Sequence, residues 1–109
     1  MFRMLTCFNL KPDVSIDEFH RAIDDLNTRL IELDLIDSVS PIGKRQKDTI
    51  MDTDEERDQE YFFVMNFRDR AQCDRAVVHL YSSEVPVESA HAAVQSMISD
   101  EIFICWQDL

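Results

Sequence analysis

A histidine within an apolar helical pattern is the first candidate for chemistry in this chain. Residues 89–98, SAHAAVQSMI, place apolar side chains at spacings of three and four, and His91 occupies a position of that stripe. An imidazole titrates close to neutral pH, so His91 could act as a general base. It could equally hydrogen-bond the backbone and fix the helix in the core, since buried polar groups are normally paired within the protein. Spacing alone leaves both roles open.

The remaining histidines and a basic cluster are weaker candidates. His20 falls on the polar side of the first predicted helix and His79 beside the stripe of the second, so we expect neither in a site. Lys44, Arg45 and Lys47 stand out in an acidic chain and could bind a carboxylate-bearing ligand. We favour the alternative that they protect an edge strand and pair with the acidic segment that follows.

That acidic segment, residues 47–60 (KDTIMDTDEERDQE), has dense charge and no apolar periodicity. Such a pattern predicts an exposed, mobile loop with few anchors. Clustered carboxylates could recruit a divalent cation, but the glycine and ligand spacing of an EF-hand loop are missing. We therefore expect no metal site here.

Composition bounds the partners of the chain. Its 109 residues predict a single domain, residues 1–109. Lysine and arginine number 11 against 22 acidic residues, a formal charge of −11, which repels nucleic acid and anionic membranes. No apolar run approaches the about 20 residues that span a bilayer. The first ten residues read as a strand rather than a signal peptide, so we expect a cytoplasmic protein.

Cysteine and glycine usage argues against the common cofactors. Cys7, Cys73 and Cys105 are far apart and form no CxxC motif, as expected of small buried hydrophobes in a reducing compartment rather than a disulfide framework or a zinc site. The single glycine, Gly43, leaves no GxGxxG or Walker A loop. We expect neither a metal nor another cofactor.

Periodicity predicts the order βαββαβ, with the last helix broken in two. The predicted strands cover residues 2–10, 38–46, 60–67 and 101–107. Ser15 and Glu18 form a capping box for the first helix, whose apolar stripe runs to residue 33. Asp69 caps the second helix, which breaks at residues 82–86 and resumes over 87–98.

The character of the strands predicts their places in a sheet. The second strand carries Pro41 and Gly43, which suit an edge, whereas the third is apolar at nearly every position and should be central. The predicted fold is α+β, a ferredoxin-like βαββαβ sandwich with an antiparallel four-stranded sheet covered by helices on one face. We expect the first and third strands to lie side by side and parallel at its centre.

The same strands carry apolar residues on both faces. Phe2, Met4 and Phe8 alternate with Leu5 and Cys7 along the first strand. A soluble monomer does not leave a second large apolar face in water. We therefore expect a two-fold homodimer that closes a barrel. The fourth strand should lie nearer its interface than the second, with Trp106 largely buried.

This order of elements, the acidic segment and the broken second helix resemble the dimeric α/β-barrel superfamily, nearest its stress-responsive A/B-barrel branch. The segment that carries the resemblance is residues 79–106, HLYSSEVPVESAHAAVQSMISDEIFICW. In that branch a tyrosine-containing helix is followed by a short break and by a helix that opens with a histidine, as His91 does. The superfamily includes cofactor-independent monooxygenases, polyketide cyclases, lactone isomerases, haem enzymes and members of no known activity.

The resemblance implies a small cavity between the open face of each sheet and the neighbouring helices, lined by polar residues of otherwise apolar elements. These candidates are His91, Thr6, Asn9 and Asn66, with an amphipathic wall from Tyr61, Tyr81 and Trp106. In the cyclases the matching histidine is a general base paired with a tyrosine. Here residues 82–89, SSEVPVES, stand where that tyrosine is expected, so the resemblance carries over His91 but not the pair.

Three functions follow as hypotheses. The first is a ligand-binding or stress-related protein with an apolar cavity and no chemistry, which we place slightly ahead. The second is a small cyclase-type or isomerase-type enzyme with His91 as general base on a hydrophobic, carbonyl-bearing substrate. The third is a cofactor-free monooxygenase with a deep pocket lined mostly by aromatic residues.

Overall fold

In the part of the chain that the structure describes, one sheet carries three helices on one of its faces. A computed structural model describes residues 1–82 and 87–109. Its elements in chain order are β1 (Phe2–Leu10), α1 (Ile16–Glu32), β2 (Ser38–Val39), β3 (Gly43–Lys44), β4 (Tyr61–Phe67), α2 (Arg70–Leu80), α3 (Val87–Met97) and β5 (Ile98–Gln107).

The strands are ordered β2-β4-β1-β5, and β3 also pairs with β4. Every pairing is antiparallel, which confirms the antiparallel ferredoxin-like sheet but shows that the parallel arrangement of the first and third predicted strands was wrong. The crossover through α1 makes β1 and β2 run in one direction. Because β4 returns from β2 and inserts between the two, it runs opposite to both.

The second predicted strand, residues 38–46, is reduced to β2 and β3, two residues each. Residues 40–42, which include Pro41, interrupt it, and both pieces pair with β4 at the edge of the sheet as predicted. The last strand is longer than expected, because Ile98 was placed in the helical stripe but pairs with Leu10 as the first residue of β5.

The predicted helix caps are present. The Ser15 hydroxyl accepts the Glu18 N–H at 3.1 Å, and the Asp69 carboxylate accepts the Gln72 N–H at 2.8 Å. The stripe of α1 is buried from Phe19 to Leu30. The helix ends at Glu32, and its C-cap Leu33 is exposed, so the predicted continuation of the stripe to residue 33 was wrong. The expected break before α3 falls on residues 82–86, of which 83–86 lie outside the described residues.

The two faces of the sheet differ in their covering. Phe8, Phe63 and Met65 face the helices and form the core with the buried side of α1. The opposite face, called the open face below, follows the other alternation of β1, β4 and β5, with Leu5 and Ile104 paired across it. Trp106 lies on the open face and is 41% exposed in the single chain, so its predicted burial would require a second chain.

The acidic arm, residues 47–60, is anchored more firmly than its sequence predicts. Arg45, with a side chain only 8% exposed, donates to both Asp52 carboxylate oxygens at 2.8 and 2.7 Å and to the Asp54 carbonyl at 2.7 Å. Gln59 donates to the Asp100 carbonyl at 2.7 Å. The expected pairing of Arg45 with the arm is confirmed. The expectation of few anchors was wrong, because a charge pattern does not predict hydrogen bonds from an arginine to backbone carbonyls.

None of the helices among the described residues is both long and apolar enough to cross a bilayer.

Candidate functional site

A cavity of about 190 Å³ lies between the helix-covered face of the sheet and the three helices. We had expected the cavity at the open face of the sheet, but it lies on the helix-covered side. Most of its wall is apolar, and its lining is Met4, Thr6, Phe19, Ile23, Leu26, Phe63, Met65, Val77, Leu80, Tyr81, His91, Val94, Gln95, Ile98, Glu101 and Phe103. Three of the predicted site residues, from three different elements or their ends, thus meet at one cavity.

His91 reaches this cavity from the first turns of α3, and its side chain is half-buried. Its ring meets the Tyr81 ring edge to face, with ring centroids 5.3 Å apart and planes at 86°. Burial lowers the pKa of His91 below its ordinary value, and a hydrogen bond to the Leu80 backbone partly opposes this by favouring the protonated ring. The neutral ring therefore predominates at neutral pH and is able to accept a proton.

Thr6 forms part of the wall from the middle of β1, the central strand beside β5. The residue is 2% exposed, and its hydroxyl Oγ1 has no hydrogen-bond partner among the described residues. A buried hydroxyl without a partner costs about 1–3 kcal/mol. Among the described wall residues, Thr6 is the one with a buried side-chain polar atom that lacks a partner.

Two polar residues of the wall were not predicted. Gln95 lies one helical turn after His91, and an i, i+4 reading of α3 could have found it. Glu101 and Phe103 lie on the same side of β5 by strand alternation, but the predicted strand began at Glu101 and gave no reason to assign that face to a site. The described residues of the wall include no lysine or arginine, and Glu101 is the only carboxylic acid among them.

The other four candidates lie away from this cavity: Asn9, Tyr61, Asn66 and Trp106. Asn9 connects the arm to the last strand, because its side chain accepts the Glu60 N–H at 2.9 Å and donates to Asp100 at 3.2 Å. Tyr61 stacks on Phe8 with ring centroids 5.6 Å apart. Both side chains therefore stabilise the end of β1.

Asn66 and Trp106 belong to the open face. Asn66 accepts from Arg3 at 2.6 Å and donates to the Ser38 hydroxyl at 3.1 Å. Trp106 pairs with Arg3 across β1 and β5. Within the chain, Asn66 joins neighbouring strands, and Trp106 lies where a second chain could contact it.

A larger hollow of about 480 Å³ lies under the acidic arm, between the arm and the open face. It is broad and open to solvent, and Arg45 on its wall is already committed to carboxylate and carbonyl partners of the arm. Burial raises the pKa of Cys7 beside it, which keeps the thiol protonated and unreactive. We therefore assign the candidate site to the smaller cavity under the helices.

Neither of the other histidines joins the wall of this cavity. Across the described ranges, 1–82 and 87–109, no three side chains of histidine, cysteine, aspartate or glutamate come together in a way that could hold a metal ion.

Comparisons with known proteins identify the fold. No protein-family model matches the chain, and no curated protein matches it by sequence. Among solved structures, a protein of Arabidopsis thaliana superposes with a TM-score of 0.75 at 9% identity, covering 100% of this chain and 96% of that one.

Two further structures carry more information in their descriptions. A dimeric ferredoxin-like protein of unknown function from Jannaschia sp. has a TM-score of 0.70 and 17% identity, with 98% of each chain covered. SnoaB, a cofactor-independent oxygenase from Streptomyces nogalater, has a TM-score of 0.62 and 8% identity, covering 99% of this chain and 92% of that one. The superpositions over nearly the whole chain establish a shared ferredoxin-like fold, which confirms the predicted fold class.

Proposed function

We propose that this protein is a homodimeric ligand-binding protein that holds one small, largely apolar molecule between the sheet and the helices of each subunit. The observation that carries the proposal is the meeting of His91, Tyr81 and Thr6 at one apolar cavity, together with the buried Thr6 hydroxyl that lacks a partner among the described residues. Binding sites commonly combine an apolar wall with a few polar groups that orient the ligand.

The size of the cavity limits its ligand. An apolar cavity of about 150 Å³ is known to accept benzene. The cavity here has a volume of about 190 Å³, which leaves room for one or two heavy atoms more than benzene. This volume lies below the usual range for drug-sized ligands. A single ring with a short substituent is therefore the ligand size that fits.

A pair of substitutions on α2 tests the cavity. Val77 lies on its wall and is 46% exposed, whereas its neighbour Val78 is 68% exposed and does not contribute to the wall. Val77→Trp should fill part of the cavity and weaken the binding of single-ring compounds at least tenfold, as measured by ligand-observed NMR. Val78→Trp is the matched control and should bind like the wild type. Equal binding by both variants would place the ligand elsewhere and refute the proposal.

The dimer is supported by the open face. Ile104 and Trp106 are 44% and 41% exposed there, in line with Leu5 and Val64 of the neighbouring strands. Apolar surface of this kind marks an interaction site. The Jannaschia protein of the same fold is described as dimeric. A second copy about a two-fold axis would present the same apolar face and cover it symmetrically.

Sedimentation tests the dimer directly. The wild type should sediment as a dimer at micromolar concentration, and Ile104→Asp should shift it to the 12.8 kDa monomer, because the carboxylate would be buried without a partner. Val78→Asp introduces the same charge on the helical side and should leave the dimer intact. A wild-type monomer would remove the dimer from the account.

His91 supports a second candidate function, proton transfer on a carbonyl-bearing substrate. The lowered pKa keeps its ring available as a base, and the Tyr81 ring lies against it at 86°. Exchange of the α-protons of a bound single-ring ketone into D₂O should then be accelerated by the wild type and lost in His91→Gln. If both proteins bind the ketone and neither accelerates exchange, the function is binding alone.

Three finer assignments are also proposals. Among the sixteen described residues of the wall, eight are apolar and non-aromatic and four carry an aromatic carbocycle, which favours binding over the monooxygenase chemistry that needs a mostly aromatic pocket. The resemblance of residues 79–106 to the stress-responsive branch supports a stress-related role. All three cysteines are free, as is typical of a reducing, cytoplasmic setting; Cys7 and Cys73 are buried as predicted, whereas Cys105 is exposed and its predicted burial was wrong.

A further inference from the structure

We infer that Thr6 selects the ligand class, so that the cavity prefers an uncharged single-ring compound bearing a hydrogen-bond acceptor, such as an aryl ketone. This inference rests on the proposed function and names the chemistry of the same site. It follows from the position of one hydroxyl, from its missing partner and from the charge of the wall.

The strand pairing isolates this hydroxyl among apolar groups. Thr6 lies opposite Phe63 on β4 and opposite Phe103 on β5, and all three residues belong to the cavity wall. The main chain of Thr6 takes part in the ladders on both sides, so the side-chain hydroxyl is the polar group left over. Among the described residues it has no acceptor for its proton.

A valine at this position would have nearly the same shape without the unpaired hydroxyl. Replacing an unsatisfied buried polar group by an apolar group of the same shape removes its desolvation cost. The threonine is thus unfavourable for the stability of the ligand-free fold. An acceptor atom of a bound ligand would give the hydroxyl its missing hydrogen bond and offset that cost.

The charge of the wall decides against acids as ligands. Its described residues include no lysine or arginine, and Glu101 contributes the only acidic group. The whole chain carries a formal charge of −11. A carboxylate in this cavity would lose its hydration without gaining a counter-ion, whereas a neutral ketone would lose little.

Three probes of similar size test the inference: acetophenone has an acceptor, ethylbenzene has none, and benzoate carries a charge. The wild type should bind acetophenone most tightly and benzoate least. Thr6→Val should weaken acetophenone binding about threefold to tenfold, the loss expected for one neutral hydrogen bond, and leave ethylbenzene binding unchanged. Thr6→Ser keeps the hydroxyl and should retain the preference for acetophenone.

The ligand-free melting temperature provides a second readout. Thr6→Val should melt about 4–8 °C higher than the wild type, the shift expected for roughly 1 kcal/mol in a domain of this size. Acetophenone binding that is equal in wild type and Thr6→Val, tighter binding of benzoate, or a lower melting temperature of Thr6→Val would each overturn the inference while leaving the cavity as a binding site. If none of the three probes binds the wild type, the proposed function fails as well.

Discussion

Replacing His91 by alanine separates a structural role from a functional one. In the structural role the ring holds α3 against the end of α2 through the Leu80 backbone and the Tyr81 ring. In the functional role the ring contacts the ligand across the cavity. The two roles predict different balances between lost stability and lost binding.

The structural cost can be worked out from the contacts. The edge-to-face contact with Tyr81 is worth about 0.5–1.5 kcal/mol, and the low end applies because Tyr81 is 72% exposed. A hydrogen bond to the Leu80 backbone adds about 0.5–1.5 kcal/mol. We therefore expect His91→Ala to lose about 1–2 kcal/mol, and its melting temperature should fall by about 4–16 °C for a domain of about 100 residues.

The assay combines a thermal melt with acetophenone binding, both measured on His91→Ala and His91→Gln. We expect the moderate stability loss given above for His91→Ala together with at least tenfold weaker ligand binding at a temperature where the variant is folded. A larger drop in melting temperature with unchanged binding would refute a role of His91 in the site. Unchanged stability would refute the contacts assigned to its ring.

Three further predictions concern pH, the core and the arm. Burial lowers the pKa of His91 in the folded state, so the unfolded state binds a proton on this ring more readily. The free energy of unfolding is therefore highest above about pH 6.5 and decreases as the pH falls below that value. His91→Gln should flatten this part of the stability–pH curve. Gln72→Leu should lose about 2–4 kcal/mol in chemical denaturation, since its fully buried side chain satisfies two main-chain groups, whereas Gln95→Leu at an exposed position should change little. Arg45→Met should speed hydrogen exchange throughout the acidic arm, while Lys44→Met should not; equal protection in both would refute the anchoring assigned to Arg45.

Local signals predicted the framework of the fold well. The Ser15 and Asp69 caps, the edge position around Pro41 and the alternation of Ile104 and Trp106 all follow from short-range rules. These rules concern spacing within one element, where the sequence pattern and the physical cause coincide. The order of elements then restricted the topology to very few possibilities.

The direction of the central strands and the composition of the site depend on contacts between distant residues. Thr6 and Asn9 are both polar residues of β1, yet Thr6 lies in the cavity wall, whereas Asn9 hydrogen-bonds the arm and Asp100 beside the register shift between β1 and β5. Polarity alone could not separate them. The cap at Asp69 was predicted, but the full burial of the Gln72 side chain and its hydrogen bond to the Asp34 carbonyl were not.

The central claim is that a single-ring ligand binds between the sheet and the helices, and an NMR titration of the isotope-labelled protein with acetophenone tests it most directly. The account predicts saturable shifts centred on the amides of Thr6, Phe63, His91 and Val94, with little change in the acidic arm or at Ile104. Shifts centred on the arm and Cys7 would instead assign binding to the larger hollow on the open face. Either that result or an unchanged spectrum at saturating ligand would contradict the account.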